Sequence, residues 1–297
     1  MTVVAGSVRD ALGAATDALQ AAGVESPRLD AELLLAEATG RGRAELVADG
    51  RAEVAPGAGR LFGEMVRRRL RREPVAYILG RRGFRRIELA VDRRVLIPRP
   101  ETELLVELAV EAGPRRLLDV GTGCGAIALA VAEELPGCEV TATDTSVGAL
   151  EVARGNATRL GLADRVRFLE GTIPGVEGSD AAGEEAGFDL IVANLPYVAE
   201  RDWPGLAPEV TQWEPREALL AGPDGLDAYR ELAGMLQQCT CPRIPGTSAL
   251  FVSPVVALEV GEEQAGAVGE MLRGAGFGEI ETRRDLAGIE RVVVGRR

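Results

Sequence analysis

Hydrophobic residues recur along the first seventy positions at helical spacing. Leu12, Ala15, Leu19 and Ala22 fall three and four apart, which predicts an amphipathic helix near the N-terminus. A second helix opens at Ser26, a capping residue type, with Pro27 suited to its first turn. It closes at Gly40, and Leu33, Leu34 and Leu35 are its core-facing positions. Residues 58–72 fit a third helix, so residues 1–73 read as a small helical bundle of the partner-binding kind. At 75–97 the period changes. Tyr77, Ile78 and Leu79 precede Gly80, and Ile87, Leu89 and Val91 alternate with Glu88, Ala90 and Asp92, as in strands. A hairpin within 74–100 linking two domains accounts for this.

From 101 to 297 strands and helices alternate. Strands are placed near 116–120, 138–143, 165–169, 188–193, 249–260 and 289–295. Helices fall near 101–112, 125–135, 146–161, 224–238 and 262–275. Such alternation predicts an α/β domain, a mostly parallel sheet with helices on both faces. Residues 174–187 read as a polar, acidic surface loop.

Composition then removes whole classes of chemistry. The 297 residues include no histidine and no lysine, so all 34 basic residues are arginine. That excludes Ser-His-Asp and Cys-His units, a pyridoxal-binding lysine, a P-loop lysine and histidine metal sites. Cys124, Cys138, Cys239 and Cys241 make no paired grid, so neither a metal site nor a disulfide framework is expected. No apolar run reaches the ~20 residues of a membrane span, and the N-terminus lacks signal-peptide features. A cytoplasmic protein with no membrane partner is expected. The net charge of −12 divides unevenly: +5 over residues 1–100 and −17 over 101–297. Arg67, Arg68, Arg69, Arg71 and Arg72 form one run, open to two readings: a solvated helix face, or a patch for an acidic partner or RNA.

Two segments carry candidate chemistry. Leu117-Leu118-Asp119-Val120 runs into Gly121-Thr122-Gly123-Cys124-Gly125 and then a helix, a strand–loop–helix turn in which backbone can approach a ligand closely. Asp119 suits a ligand ammonium and would repel a pyrophosphate. Asp144, at the end of the second strand and about twenty residues on, can accept both ribose hydroxyls of a nucleoside. NAD and S-adenosylmethionine both fit that contact. The second segment is Asn194-Leu195-Pro196-Tyr197, at the carboxyl end of a buried strand. It has the [Asn/Asp/Ser]-x-Pro-[aromatic] pattern of methyltransferases acting on planar amino or amide nitrogens.

Segments in order along nearly the whole chain resemble the HemK/PrmC family. They are Ser26-Pro27-Arg28-Leu29-Asp30-Ala31-Glu32-Leu33-Leu34, Glu73-Pro74-Val75-Ala76-Tyr77-Ile78-Leu79-Gly80 and Leu96-Ile97-Pro98-Arg99-Pro100-Glu101-Thr102-Glu103. After these come the Asp119–Gly125 loop, Asn194–Tyr197, Glu214-Pro215-Arg216-Glu217-Ala218-Leu219 and Glu290-Arg291-Val292. The resemblance implies a Rossmann-like seven-stranded methyltransferase domain behind a helical N-terminal domain, with S-adenosyl-L-methionine as methyl donor. The acceptor it implies is the Gly-Gly-Gln glutamine side-chain nitrogen of class-1 peptide chain release factors. By that resemblance Asp119, Gly121, Thr122, Gly123, Cys124, Gly125, Asp144 and Asn194 contact the cofactor. Asn194, Leu195, Pro196, Tyr197, Arg99 and Glu101 contact the substrate, with Asn194, Pro196 and Tyr197 catalytic.

Leu195 stands where the family usually has proline, which keeps a carbonyl while losing the fixed φ. Thr172 stands where an acidic residue commonly meets the adenine amino group, and residues 242–258 run longer than usual. Asn-Leu-Pro-Tyr also occurs in rRNA adenine dimethyltransferases. The alternatives are therefore a methyltransferase for a ribosomal-protein glutamine or for an adenine amino group. A catalytic half at −17 makes nucleic acid an unfavoured partner. A non-catalytic cofactor-binding module would have no need of Asn194 and Tyr197, and a nicotinamide dehydrogenase is disfavoured by Asp119.

Overall fold

In the computed structural model, which describes residues 6–173, 187–238 and 255–297, the chain divides into two compact units. The first comprises residues 1–81 together with 207–213, and the second comprises 82–206 and 214–297.

In the first unit α1 (Val8–Ala21) starts with a capping box. Ser7 accepts from the Asp10 amide, and the Asp10 side chain takes the Ser7 amide. Its buried stripe is Val8, Leu12, Ala15 and Leu19. In α2 (Pro27–Thr39) proline occupies the first turn and Gly40 closes the helix at φ +66°, but the Ser26 side chain makes no capping bond. Leu34 and Leu35 are fully buried, whereas Leu33 is only half-buried. α3 (Arg43–Ala48) and α4 (Pro56–Leu70) complete a core with Leu46 and Phe62.

Three features of this unit differ from the sequence reading. Val75–Leu79 is a helical turn, α5, rather than the start of a strand, and Gly80 closes it at φ +71°. Five residues are too few for a period to declare itself. The segment 207–213, which contains a short helix (Pro208–Trp213), belongs to this unit although it lies more than a hundred residues downstream. This compact unit runs to Arg81 and is not contiguous. The arginine run, finally, is mostly neither a solvated face nor a docking patch. Arg68 forks onto Glu73 at 2.9 and 2.6 Å and reaches the Tyr77 and Ile78 carbonyls. Arg69 is 6 % exposed and bridges Asp30 and Glu209, each at 2.7 Å. Arg72 forks onto Glu209 and donates to the Ala22 and Gly23 carbonyls. Arg67 and Arg71 stay exposed.

The second unit, from residue 82, carries the hairpin of β1 (Arg81–Phe84, all but its first residue) and β2 (Ile87–Ala90), and a seven-stranded sheet. Its strands are β3 (Arg116–Val120), β4 (Glu139–Asp144), β5 (Val166–Glu170), β6 (Leu190–Ala193), β7 (Val255–Glu259), β8 (Glu279–Arg284) and β9 (Glu290–Arg296). Their spatial order is β5-β4-β3-β6-β7-β9-β8. The first five run parallel, and β9 lies antiparallel between β7 and β8. β8 was not legible in the sequence because only Ile280 of its six residues is even half-buried. The intervening helices are α6 (Glu103–Ala112), α7 (Ala126–Glu134), α8 (Val147–Leu160), α10 (Asp227–Gln238) and α11 (Ala265–Gly274), with Pro208–Trp213 of the first unit taken as α9. Leu118, Ile191, Val256, Leu258, Val293, Tyr229 and Phe277 share one core.

The chain enters this sheet at its middle, winds outward through β4 and β5, and returns to β6 on the other side of β3. The order reverses between β3 and β6, and open α/β sheets bind ligands outside the carboxyl ends of strands at such a point. Register aligns Val120 with Thr143 and Ala193, and Asp144 with Glu170. Cys239, Cys241, the loop at 174–186 and residues 242–254 of the long segment lie outside the described residues. Among the described residues no helix is long and apolar enough to cross a membrane.

Candidate active site

A cavity of about 290 Å³ opens at that switch point. The glycine loop, Asp144, Gly171, Asn194, Leu195 and Pro196 line it, so the fold brings both sequence motifs to one wall. Gly121, Gly123 and Gly125 all have positive φ, at +74°, +57° and +86°. At Gly125 the need is also steric, because a Cβ there would lie 2.8 Å from Leu129 Cδ1.

The loop is not an anion cradle. The Gly121 and Thr122 amides both donate to the Thr143 carbonyl, Gly123 donates to Asp144 Oδ2, and Gly125 donates to the Thr122 carbonyl. With those N–H groups spent inside the protein, a pyrophosphate would find few of the donors that such loops offer it. Asp119 strengthens this. It is fully buried, and its Oδ2 accepts from Thr122 Oγ1 at 2.6 Å and from the Ala128 amide in the first turn of α7. The positive helix end is thus already met by a carboxylate. Burial pushes Asp119 up to about 7, with Asp144 adding in the same direction. Asp119 does not line the cavity, although Val120, Gly121 and Thr122, the next in chain, do. Its Oδ1 is buried with no hydrogen-bond partner among the described residues.

Asp144 lines the cavity with its Oδ2 on the Gly123 amide and its Oδ1 on the Ser146 amide. Burial raises it from the usual carboxylate range. Each oxygen keeps a second lone pair, the capacity that two vicinal hydroxyls need. Cys124 is a buried thiol pushed up to about 12 by burial, so it contributes wall and not nucleophile. Thr172 lines the cavity and donates to Met235 Sδ. Glu217 and Glu231 are the other carboxylates on its wall. A nucleoside with a cationic tail fits this set: a carboxylate at the ribose position, an unsatisfied buried carboxylate oxygen beside the loop, and no anion cradle.

Asn194 follows β6. Its Nδ2 donates to Thr102 Oγ1 at 3.0 Å, and its Oδ1 takes no donor among the described residues. Nor does any such donor occupy the Leu195 carbonyl. Two free acceptors therefore stand in sequence at the cavity wall. The Leu195 side chain packs toward Gly121, where a Cβ would come within 3.4 Å of Leu195 Cδ2. Apolar contact here takes over part of the rigidity that a proline ring would bring. Tyr197 is half-buried against the core and is not part of the cavity wall. Burial raises its phenol, and Glu259, Arg99, Arg291 and Glu101 are the charges around it.

Arg99 donates to Glu214 at 2.6 Å, and the same carboxylate accepts the Ile97 amide. In this structure Arg99 ties the proline-rich loop to the Glu214–Leu219 segment. Gln264 was not legible as a site residue. Its Nε2 donates to the Tyr197 carbonyl at 3.0 Å and to the Gly225 carbonyl, while its Oε1 accepts the Gly261 amide. Asn156 was likewise missed. It is fully buried and holds both the Ala90 backbone and the Cys124 carbonyl, tying the hairpin to the glycine loop. No signal short of the fold reveals either, since the backbone each pins across the fold (Tyr197 and Gly225 for Gln264, Ala90 and Cys124 for Asn156) lies 32 to 67 residues away.

Residues 10–80 match the PrmC N-terminal domain, and residues 117–213 match a methyltransferase domain. The release factor glutamine methyltransferase of Caulobacter vibrioides is 42% identical over 286 residues, covering 95% of this chain and 93% of that protein. Its namesake in Bordetella pertussis is 44% identical over 274 residues, covering 91% and 94%. Among solved structures, the hMettl16 catalytic domain in complex with an RNA hairpin aligns with a TM-score of 0.54 at 16% identity, over 70% of this chain and 74% of that one. At that identity the likeness is one of fold.

Proposed function

The chain belongs to the release factor glutamine methyltransferase family, and from that premise we propose that it methylates the side-chain nitrogen of the Gly-Gly-Gln glutamine in class-1 peptide chain release factors. The observation that carries the reading is the pair of acceptors unengaged among the described residues, Asn194 Oδ1 and the Leu195 carbonyl, on the wall of the switch-point cavity. S-adenosylmethionine, when bound, supplies an electrophilic methyl group. Asp144 holds its ribose, and the glycine loop from Gly121 to Gly125 packs against it.

The protein's own task is placement. An amide nitrogen is a weak nucleophile because its lone pair is delocalised. Two acceptors holding its two N–H groups fix the plane of the amide and favour the positive charge that grows on nitrogen. Reactive placement alone is worth ~7–11 kcal/mol. Methyl transfer leaves the amide nitrogen positively charged and still carrying both its protons, and this cation is strongly acidic and sheds one proton to water without a tuned base, which suits a chain lacking histidine and lysine. Pro196 sets the turn out of β6, and Tyr197 covers the amide plane. Arg99 and Glu101 border the substrate side. The substrate being a translation factor, we place the reaction in the cytoplasm.

The test is methyl transfer from labelled S-adenosylmethionine to a purified release factor and to its Gly-Gly-Gln Gln→Ala variant. Label on the first alone is expected. Label that persists on the variant, appears only on a ribosomal protein, or appears only on RNA overturns the reading. Asn194→Ala is expected to lower kcat on the order of 10²–10³-fold with cofactor affinity near normal. Equal loss of both would make Asn194 a cofactor residue.

A further inference from the structure

Gln264 stands immediately before α11, yet its side chain does not cap that helix. It reaches instead to three stretches of main chain. Nε2 donates to the Tyr197 carbonyl at 3.0 Å and to the Gly225 carbonyl at 3.3 Å, and Oε1 accepts the Gly261 amide at 2.9 Å. The Gln264 amide in turn donates to the Gly261 carbonyl at 3.2 Å. Those stretches follow β6, precede α10 and follow β7. Two carbonyls need donors and one amide needs an acceptor, which a carboxamide of this length supplies and a carboxylate does not. The approach is close enough to restrict its neighbours. A Cβ at Gly261 would lie 2.7 Å from Gln264 Oε1 and 3.1 Å from Tyr197 Cδ2. Glu263, directly before Gln264, stands at φ +66°, a left-handed conformation that glycine takes freely and other residues at a cost. The turn that delivers Gln264 is therefore strained.

The consequence for the site runs along the main chain. The Tyr197 carbonyl shares a rigid peptide plane with the Val198 amide. Gln264 holds the oxygen of that plane, and the Leu219 carbonyl accepts its N–H at 2.8 Å. The plane is thus pinned at both edges. From there back to the Leu195 carbonyl the path is short. The Pro196 ring fixes its own φ, so only Pro196 ψ and Tyr197 φ and ψ stay soft. The Tyr197 ring packs against the core and faces Gly261. Among the described residues no donor holds the Leu195 carbonyl itself. Its direction is set from the downstream side by the pinned plane. Leucine at 195 leaves free a φ that a proline ring would fix, so this chain depends more on that anchor.

We propose that Gln264 is a positioning residue of the methyl transfer: by pinning the Tyr197 carbonyl it aims the Leu195 carbonyl at the target nitrogen. This rests on the reading that Asn194 Oδ1 and the Leu195 carbonyl together grip the target amide. Gln264 does not line the cavity, so it acts through the main chain. Without it the second acceptor loses its aim while the first stays in place on Thr102.

The experiment measures steady-state transfer of label from S-adenosylmethionine to a purified release factor, using the full chain. Gln264→Met keeps the length and loses all three side-chain bonds. Gln264→Glu keeps the acceptor for Gly261 and sets a carboxylate against two carbonyls. kcat should fall about 10–100-fold in each. KM for the release factor, and cofactor Kd by calorimetry, should stay near wild type, because placement and not binding is lost. Gln264→Met combined with Asn194→Ala should lose less than the product of the two single losses, since both acceptors grip one amide. Circular dichroism melts show whether each variant is folded at the assay temperature, and Gln264→Glu carries the test where Gln264→Met is not. A folded single variant with wild-type kcat, a cofactor Kd weakened by the same factor as kcat, or losses that simply multiply overturns the proposal. Wild-type transfer is read in the same assay, so failure of the underlying reading shows separately as no labelled factor from wild type.

Discussion

A carboxamide has no intrinsic sense of which end is oxygen; its neighbours decide. At Asn194 the neighbour is the Thr102 hydroxyl, 92 positions earlier in the chain. The Tyr197 carbonyl is likewise held by Gln264, and Gly225 lets the chain pass beneath it. A Cβ at Gly225, whose φ is +78°, would lie 2.3 Å from the Tyr197 oxygen and 2.9 Å from Gln264 Nε2. Gly225→Ala should therefore destabilise the protein by about 1–3 kcal/mol and lower kcat roughly 10²-fold through displaced geometry. Cofactor affinity should change far less, because the glycine loop and Asp144 lie elsewhere on the wall. Denaturant melts and steady-state rates check both halves. Asn194 and Tyr197 were legible because four adjacent residues make a pattern. Thr102 and Gln264 were not, because each works through a partner that only the sheet brings near.

Among the elements, the instructive cases are those the pattern misjudged. α5 is one turn long and β8 has almost no buried face, so neither leaves a period to read. α9 is claimed by the first unit through ion pairs, with Glu209 accepting from Arg69 and Arg72. The arginine run on α4 looked uniform in sequence and is not. Arg69 is buried between Asp30 and Glu209, so Arg69→Ala leaves Asp30 without its cation and Glu209 with Arg72 alone, and should cost about 3–5 kcal/mol. Arg71→Ala removes an exposed side chain and should stay within about 0.5 kcal/mol. Thermal or denaturant unfolding of the two variants measures the contrast. Equal effects would mean that the Asp30–Arg69–Glu209 bridge contributes no more than a surface residue.

For the whole molecule, charge and burial act in the same direction. The net charge of −12 makes the compact state self-repelling at neutral pH. Two buried carboxylates add to this. Asp119 and Glu259 rise from 3.8 and 4.5 to about 7 on folding, so across that window the folded protein holds protons that the unfolded chain has released. Stability therefore falls as pH rises from about 4 to about 7, and acidification within the window restores it. Carboxylates held low by arginines, such as Glu134 with Arg85 and Asp92 with Arg94, act oppositely, and their contribution is lost only on deeper acidification. The melting temperature should be higher at pH 6 than at pH 8. Asp119→Asn should narrow that difference, because the amide does not titrate while the surface charge is otherwise unchanged. An undiminished difference would assign the effect to net charge alone.

What the sequence alone determined is whatever is written in near neighbours. The alternation of helix and strand, the glycine turn, the Asn-Leu-Pro-Tyr exit and the absence of histidine and lysine are all local or countable. They suffice for an α/β methyltransferase working by placement. The tertiary structure decided which of these residues face the cavity and which hold others in position. It spent the loop amides internally and withdrew Asp119 behind the wall. It converted three arginines of one run into struts, and it set the Asn194 carboxamide on the Thr102 hydroxyl. Those outcomes depend on burial and on hydrogen bonds closed across many tens of residues. No local pattern encodes them, because the chain meets itself there only after the sheet has formed.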